Sequence, residues 1–292
     1  MTVIYSNSWS GGLAEWIEGD TAFISVAFSW MLPKAYQRAI WYSEQNYKVL
    51  AGGPAVKIQP EYLKDVARIK DHVTDAIAQH NPNATFTSRG CVRNCKFCIV
   101  PKIEGKLKEL DDFPIRPIIC DNNFLACSRS HFDRVIDKLK PLRGIDFNQG
   151  LDARLITKYQ ANRLAELNIK KGRIRLAYDY IGMEGQITDA FSILVDAGFR
   201  AYNIRCYVLI GNEPIKSCYE RVKKIIELKG EPFCQPMLSL KTLEKKPVVR
   251  YDWTEQKLKD MARWSNRYIW RKLSLQEYTP RRDQLSLFEE LI

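Results

Sequence analysis

The chain has 292 residues, about two average domains. It carries 45 Lys and Arg against 34 Asp and Glu, a net charge of +11, and its 46% hydrophobic and 27% charged residues exclude a disordered chain, a collagen and a coiled coil. The most apolar stretch, residues 22–32, is shorter than the roughly 18 residues of a membrane span, and the N-terminus lacks a secretory signal pattern. We therefore expect a soluble, cytoplasmic protein without a membrane partner.

Residues 1–83 predict a small, Rossmann-like α/β unit. Strands are expected at 2–5, 22–28 and 48–50, and helices at about 33–44 and 61–79. Gly52, Gly53 and Pro54 follow the third strand. A plain structural turn is favoured there over a ligand-binding loop, because two glycines make a weak motif.

Residues 84–240 contain six β-leaning runs whose starts lie 29 to 31 residues apart, the length of one strand-helix unit of a parallel sheet. The runs are 84–88, 115–120, 144–148, 173–179, 202–210 and 233–238. Helices are predicted to begin at Ser130, Thr157, Thr188 and Pro214, with ends at Gly198 and Gly230. This alternation predicts a parallel α/β sheet, either open or curled into a partial (β/α)6 barrel.

Residues 241–292 predict a basic, helical C-terminal extension. A helix is expected at 255–272, with Leu258 and Met261 on its apolar face. Its opposite face carries a basic stripe flanked by Trp264 and Trp270; the stripe comprises Lys259, Arg263, Arg267 and Arg271. Clustered cations attract phosphates and aromatic rings stack on bases, so a nucleic-acid partner is one interpretation. The alternative is an ordinary solvated helix face.

Three of the eight cysteines, Cys91, Cys95 and Cys98, lie within eight residues. Thiolates on one loop favour zinc or an iron-sulfur cluster. A structural zinc site needs four protein ligands, so Cys120 or Cys127 would have to reach it from the next unit. A [4Fe-4S] cluster normally has four thiolates, and with three of them one iron is left open to an exogenous ligand.

The spacing Cys-x3-Cys-x2-Cys, with Phe97 before the last cysteine and a strand before the first, resembles the radical S-adenosylmethionine (radical SAM) superfamily. The resemblance implies that Cys91, Cys95 and Cys98 ligate a [4Fe-4S] cluster whose open iron binds S-adenosylmethionine. It further implies an electron donor such as flavodoxin or ferredoxin, and reductive cleavage to methionine and a 5′-deoxyadenosyl radical that abstracts hydrogen from a substrate.

The same resemblance implies cofactor-binding residues after later strands. Asn122 and Asn123, in Asp-Asn-Asn-Phe, are the candidates for contacting the methionine amino group. Asp179 and Tyr180 stand where the family commonly contacts the ribose and carboxylate. Gly211 resembles part of the element beside the adenine, although the family's first glycine and its glutamate spacing are missing.

Four further residues are candidates for catalysis. Gln149, Asp152 and Arg154 follow the third strand, at the end where barrel active sites form. The alternative for Asp152 and Arg154 is a simple ion pair. Cys234, on the sixth strand, is a candidate radical partner. The remaining cysteines are expected to be mostly core: Cys206 and Cys218 as small hydrophobes, with Cys120 and Cys127 too few for a second metal site.

The substrate is the most open question. The N-terminal unit resembles the cobalamin-binding domain of one radical SAM branch, but the Asp-x-His-x-x-Gly motif is missing, which favours a cofactor-free remnant over a cobalamin site. Modification of a nucleic acid or nucleobase is the leading hypothesis. Cobalamin-linked or methylthio-type methyl transfer to a small molecule or peptide is an alternative. A non-enzymatic, metal-stabilised nucleic-acid-binding protein is the alternative from another class.

Overall fold

A computed structural model describes residues 9–70 and 75–278. The chain divides into two compact units. The first extends to Asp121 and includes Ser239–Lys246; the second comprises Asn122–Leu238 and the residues from Pro247 onward. These units group residues that contact one another in space. They differ from the segments 1–83, 84–240 and 241–292, which were predicted from the sequence pattern.

The first unit contains eight strands and four helices among its described residues. In chain order they are β1 (Leu13–Glu18), β2 (Thr21–Val26), α1 (Leu32–Glu44), β3 (Lys48–Gly52), α2 (Pro54–Ile58), β4 (Arg68–Ile69), α3 (Ala76–His80), β5 (Ala84–Thr85), β6 (Ser88–Arg89), α4 (Val100–Ile103), β7 (Lys108–Glu109) and β8 (Ile118–Ile119).

The main sheet of this unit has the order β1-β2-β3-β4, with β1 antiparallel to β2 and the other neighbours parallel. Strand β5 pairs in parallel with β8, and β6 and β7 form an antiparallel pair. Helix α1 buries Leu32, Ala35 and Ala39, whose spacing places them on one helix face. The strands predicted at 22–28 and 48–50 and the helix at 33–44 are confirmed; the strand predicted at 2–5 lies outside the described residues.

The helix predicted at 61–79 is wrong over residues 61–70. Leu63 is buried in a turn, and Arg68 and Ile69 extend the sheet as β4 beside β3. Only Ala76–His80 within this range is α-helical among the described residues. Pairing with a neighbouring strand therefore outweighs the local apolar pattern.

The second unit contains six strands and five helices among its described residues. They are α5 (Arg129–Leu139), β9 (Arg143–Phe147), β10 (Leu151–Asp152), α6 (Lys158–Ala165), β11 (Asn168–Ile169), β12 (Ile174–Tyr178), α7 (Glu184–Asp196), β13 (Ile204–Ile210), α8 (Ile215–Glu227), β14 (Glu231–Pro236) and α9 (Glu255–Asn266).

A parallel sheet of order β10-β12-β13-β14 forms the centre of the second unit, and β9 pairs in parallel with β11. Alternate residues of β13 are fully buried, among them Ile204, Val208 and Ile210. The protein is thus an α/β protein with mostly parallel sheets. No helix in the described ranges is both long enough and apolar enough to cross a membrane.

Several helix ends differ from the sequence prediction. Ser128, not Ser130, caps α5, because its hydroxyl accepts the N–H of His131. Thr188 lies inside α7, where its hydroxyl donates to the carbonyl of Glu184. Thr157 caps α6 as predicted, in a reciprocal capping box with Gln160.

The predicted helix 255–272 ends at Asn266. Tyr268 then adopts a left-handed conformation (φ 58°), and a short 3-10 turn follows. Trp264, predicted to flank the basic stripe, is buried and donates its indole N–H to the carbonyl of Leu273 at 2.9 Å. The chain turns back at this point, and the turn ends the helix.

Candidate functional site

The segment that leads into the cysteine loop is held by Asp121. The Asp121 carboxylate, at the end of β8, accepts the N–H of Thr87 at 2.6 Å and the hydroxyls of Thr87 and Ser88. Burial raises the pKa of Asp121, and the Thr87 and Ser88 hydrogen bonds oppose this shift. The first residue of Asp-Asn-Asn-Phe therefore positions the neighbouring strand end.

The cysteine loop, defined here as residues 90–105, is tied together at its two ends. Glu104 accepts a hydrogen bond from Arg89 Nη2 at 2.6 Å and another from the N–H of Gly90 at 3.0 Å. The N–H of Cys91 donates to the carbonyl of Gly105. Gly90 has φ +75°, and a Cβ there would lie 2.2 Å from the carbonyl oxygen of Lys106, so this close approach requires glycine.

The three clustered cysteines differ from the other five in exposure. Cys91, Cys95 and Cys98 are half-buried. The others are buried: Cys120, Cys127, Cys206, Cys218 and Cys234. Burial raises the pKa of Cys120 to about 12 and also raises that of Cys206. The clustered cysteines thus differ from the other five in not being buried in a core.

The cysteine loop fits a soft metal centre in its donor chemistry. The N–H of Arg93 donates a hydrogen bond to Cys91 Sγ at 3.3 Å, and thiol sulfur is a soft donor that suits zinc or iron. Among residues 9–70 and 75–278, however, no three His, Cys, Asp or Glu side chains are grouped closely enough to hold a metal ion. The structure places the three thiols on one tethered loop without bringing them to one centre.

In the second unit, Asn123, Asp152 and Arg154 come together. Arg154 binds the Asp152 carboxylate through two nitrogens, at 2.6 and 2.9 Å, and Asn123 Nδ2 donates to the same carboxylate at 3.2 Å. The ion pair considered from the sequence is therefore present. The hydrogen bond from Asn123 to Asp152 joins the loop before α5 to the end of β10.

Asp179 lies at the carboxyl end of β12, close to this group. Burial raises its pKa to about 6; the positive charges of Arg221 and Arg154 oppose the shift, and Asp152 adds to it. The Asp179 side chain makes no hydrogen bond within the described parts of the chain. A carboxyl in this state can accept hydrogen bonds from a bound cofactor and can hold a proton near neutral pH.

A fully buried arginine, Arg221 of α8, joins the loops that follow β12 and β13. It donates to the carbonyl of Tyr178 at 2.6 Å and to the carbonyl of Leu209 at 2.7 Å. It also pairs with the Glu213 carboxylate at 3.1 Å and contacts Cys218 Sγ. We call this set of contacts the Arg221 junction.

The Arg221 junction extends to the residues next to Asp179. Glu213 accepts the N–H of Ile181 through both carboxylate oxygens, and Asn212 donates to the carbonyl of Asp179 at 2.5 Å. One buried cation therefore fixes both loops. Sequence reasoning missed this residue; the available signal was a lone arginine on the apolar stripe of α8, next to Cys218 and Val222.

The other predicted site residues of the second unit lie in varied surroundings. Gln149 is exposed in the turn after β9, two residues beyond the strand it was expected to end. Tyr180 is exposed, and Asn122 is half-buried. Gly211 has φ +90°, a conformation that favours glycine, and it packs against the side chain of Leu258 of α9.

Cys234 is buried under α9. Its backbone N–H and carbonyl both bind the side chain of Asn266, at 2.7 and 2.9 Å. Burial raises the pKa of its thiol to about 12. The predicted role as a radical partner gains no support from this position.

The Gly52-Gly53-Pro54 segment is a tight turn that begins α2. Gly53 has φ +98°, and a Cβ there would lie 2.6 Å from the carbonyl oxygen of Val26. The glycine is thus needed for the approach of two strands, which supports the structural turn predicted from the sequence.

No protein-family model matches the sequence, and no curated protein shows significant similarity to it.

Proposed function

We propose that the protein is a radical SAM enzyme. The observation that carries this proposal is the contrast between the cysteines: three half-exposed thiols in Cys-x3-Cys-x2-Cys spacing on one tethered loop, and five buried elsewhere. When bound, a [4Fe-4S] cluster with S-adenosylmethionine supplies the electron transfer that generates a 5′-deoxyadenosyl radical for hydrogen abstraction. A partial (β/α)6 barrel over residues 84–240 is the proposed fold, and the parallel pairings of both units support it.

The chain's own residues have defined parts in this proposal. Cys91, Cys95 and Cys98 hold the cluster, and the Arg89–Glu104 ion pair keeps the ends of their loop together. Asn122 and Asn123 are assigned to the amino group of S-adenosylmethionine. Asp179 and Tyr180 are assigned to its ribose and carboxylate, with Gly211 beside the adenine.

Arg154 and Asp152 act as positioning residues for Asn123 and Asp179. Both Asp152 oxygens accept hydrogen bonds from Arg154, so their pairing orients Asn123 and places positive charge near Asp179. The reducing partner is proposed to be a small electron-transfer protein of the flavodoxin or ferredoxin kind. Cobalamin has no part in the proposed reaction.

Anaerobic reconstitution with iron and sulfide tests the assignment. The wild-type protein should become brown, bind about four irons, and form 5′-deoxyadenosine from S-adenosylmethionine under dithionite. Cys95→Ala should lose both properties, whereas the matched control Cys206→Ala should keep them because Cys206 lies in the buried face of β13. Bound zinc without visible absorption, or a Cys95→Ala variant that still forms 5′-deoxyadenosine, would overturn the proposal.

A further inference from the structure

The solvent face of α9 and of the turn after it carries four cations at regularly spaced positions. Lys259, Arg263, Arg267 and Arg271, the basic stripe, are all exposed. Residues four apart on a helix lie one above the other, so Lys259, Arg263 and Arg267 form one row. The only ion pair of the stripe among the described residues is Lys259 with Glu255, at 3.6 Å between two exposed side chains.

The arginines of the stripe differ from most of the others in the second unit, although exposed Arg143, Arg200 and Arg250 likewise have no ion pair among the described residues. Carboxylates lie within ion-pair distance of seven others: Arg129, Arg154, Arg163, Arg173, Arg175, Arg205 and Arg221. Arg263, Arg267 and Arg271 have no such carboxylate within residues 9–70 and 75–278. Their charge is therefore not compensated within the described chain.

Helix α8 provides an internal comparison. Its exposed positions alternate in sign, with Lys216 followed by Glu220 and Lys223 followed by Glu227 at i, i+4 spacing. Such pairs are typical of an ordinary solvated helix face. The solvent face of α9 has one such pair, Glu255 with Lys259, but Arg263 and Arg267 have no acidic residue four positions away. An ordinary solvated face therefore describes α8 better than the arginine-bearing part of α9.

The stripe runs along the full length of the sheet. Leu258, at the start of α9, packs against Gly211 at the carboxyl end of β13. Near the other end, the Ser265 hydroxyl donates to the carbonyl of Pro232, close to the start of β14. Beyond the helix, Tyr268 accepts a hydrogen bond from Arg205 near the start of β13. Lys259 thus begins the stripe beside the edge that carries Asp179, and Arg271 ends it at the opposite edge.

We propose that the basic stripe binds the phosphate backbone of a single-stranded nucleic acid and leads it toward the carboxyl edge of the β10-β12-β13-β14 sheet. Successive cations one helical turn apart match a chain of regularly spaced phosphates. Trp264 is buried and Arg271 packs over Trp270 and Tyr268, so these rings serve the protein and the contact is with phosphates. Binding through phosphates is independent of base sequence.

Salt dependence of binding measures the number of phosphates that the stripe neutralises. The full-length chain is titrated into a fluorescein-labelled 20-nucleotide oligouridylate RNA without S-adenosylmethionine, and anisotropy is read between 50 and 200 mM salt. Four cations predict a slope of about −3 in log affinity against log salt, or an affinity loss of about fifty-fold over this range. Arg263→Gln, Arg267→Gln and Arg271→Gln combined should leave a loss of about three-fold.

Two matched variants distinguish binding by the stripe from a general effect of net charge and from a loss of folding. Lys216→Gln, Lys223→Gln and Lys229→Gln together remove three exposed cations from α8 and from the turn after it, and should keep the wild-type slope. Replacing the three stripe arginines with lysines keeps the charge and should restore the slope.

The proposal is overturned if the glutamine variant keeps the wild-type slope with an unchanged thermal unfolding curve, or if the wild-type chain binds phosphatidylserine vesicles but not the RNA. Because no cofactor enters the measurement, failure of RNA binding is a separate result from failure of the proposed reaction.

Discussion

The cysteine loop is tied at its two ends, whereas the loops after β12 and β13 are joined by the buried Arg221 junction. Glu104 and Gly105 hold the base of the cysteine loop, and the three thiols between them remain half-exposed. In the junction, one guanidinium of zero exposure reaches two backbone carbonyls and a carboxylate.

This difference separates two ways of preparing a site. In the proposed enzyme the metal supplies binding energy of its own, so the cysteine loop depends mainly on its fixed ends. Groups that only orient a small molecule must be preorganised by the protein. The comparison therefore predicts that removing Arg221 lowers the free energy of unfolding of the second unit more than any other change considered. Weakening the contacts at the ends of the cysteine loop should lower metal affinity more than stability.

Arg221→Met is expected to lower the free energy of unfolding the most. Removing the guanidinium leaves Glu213 and the carbonyls of Tyr178 and Leu209 without their partner, and breaking a buried ion pair typically costs about 3–5 kcal/mol. Urea unfolding at neutral pH measures the free energy of unfolding. The control Arg200→Met removes an exposed guanidinium and should change it by less than about 0.5 kcal/mol. Equal values for the two variants would show that the junction does not stabilise these loops.

Asp179 predicts a pH-dependent effect in the same region. Its pKa is raised from 3.8 to about 6 on folding, so the folded state keeps a proton that the unfolded chain has lost between these pH values. The contribution of this carboxyl to stability is present below about pH 3.8 and is lost as pH rises through about 6. The total loss is about 3 kcal/mol.

Asp179→Asn should abolish this dependence. The wild-type and variant unfolding free energies, measured by urea from pH 4 to pH 7, should diverge in favour of the variant as pH rises. Parallel curves over that range would mean that Asp179 titrates at its ordinary value and that the carboxyl is well solvated.

Asp121→Ala tests the attachment of the cysteine loop to β8. It removes the acceptor of the Thr87 N–H and of two hydroxyls inside the first unit, and unsatisfied buried donors cost about 1–3 kcal/mol. Asp121→Asn keeps one carbonyl acceptor and should cost less. If both variants unfold at the wild-type urea concentration, Thr87 and Ser88 do not depend on Asp121.

Local sequence signals predicted much of the fold. The capping box of Thr157 and Gln160 marks the start of α6, and Pro214 lies directly before α8. Regular spacing placed the parallel strands of the second unit to within a few residues. These signals predict secondary structure because helix caps and apolar periodicity depend only on residues close together in the sequence.

Long-range contacts account for the failures. Arg68 and Ile69 form a strand because β3 offers an open edge, which no local pattern shows. Trp264 faces inward because the chain turns back at Tyr268. Arg221 was overlooked because a charge on an apolar helix stripe has meaning only when its buried carbonyl partners are known. The cysteine motif could be recognised from the sequence because all three cysteines lie close together on one loop.

Glu104→Gln is expected to have the smallest effect on the free energy of unfolding. Its effect on metal binding should be larger. The amide can still accept the Gly90 N–H, but it loses the ion pair with Arg89, a contact with one partly exposed partner that contributes about 1 kcal/mol or less. The matched control Glu61→Gln removes the exposed ion pair with Lys64, which is remote from the cysteine loop in sequence.

Iron retention separates these two effects. After anaerobic reconstitution, each protein is exposed to a chelator and the remaining iron is measured over time. Glu104→Gln should lose iron several times faster than wild type because the ends of the ligand loop separate more readily, while its urea midpoint changes little. Glu61→Gln should match wild type in both measurements. Equal iron loss from all three proteins would show that the closed base of the loop has no part in holding the metal, and the contrast with the Arg221 junction would then rest on the buried cation alone.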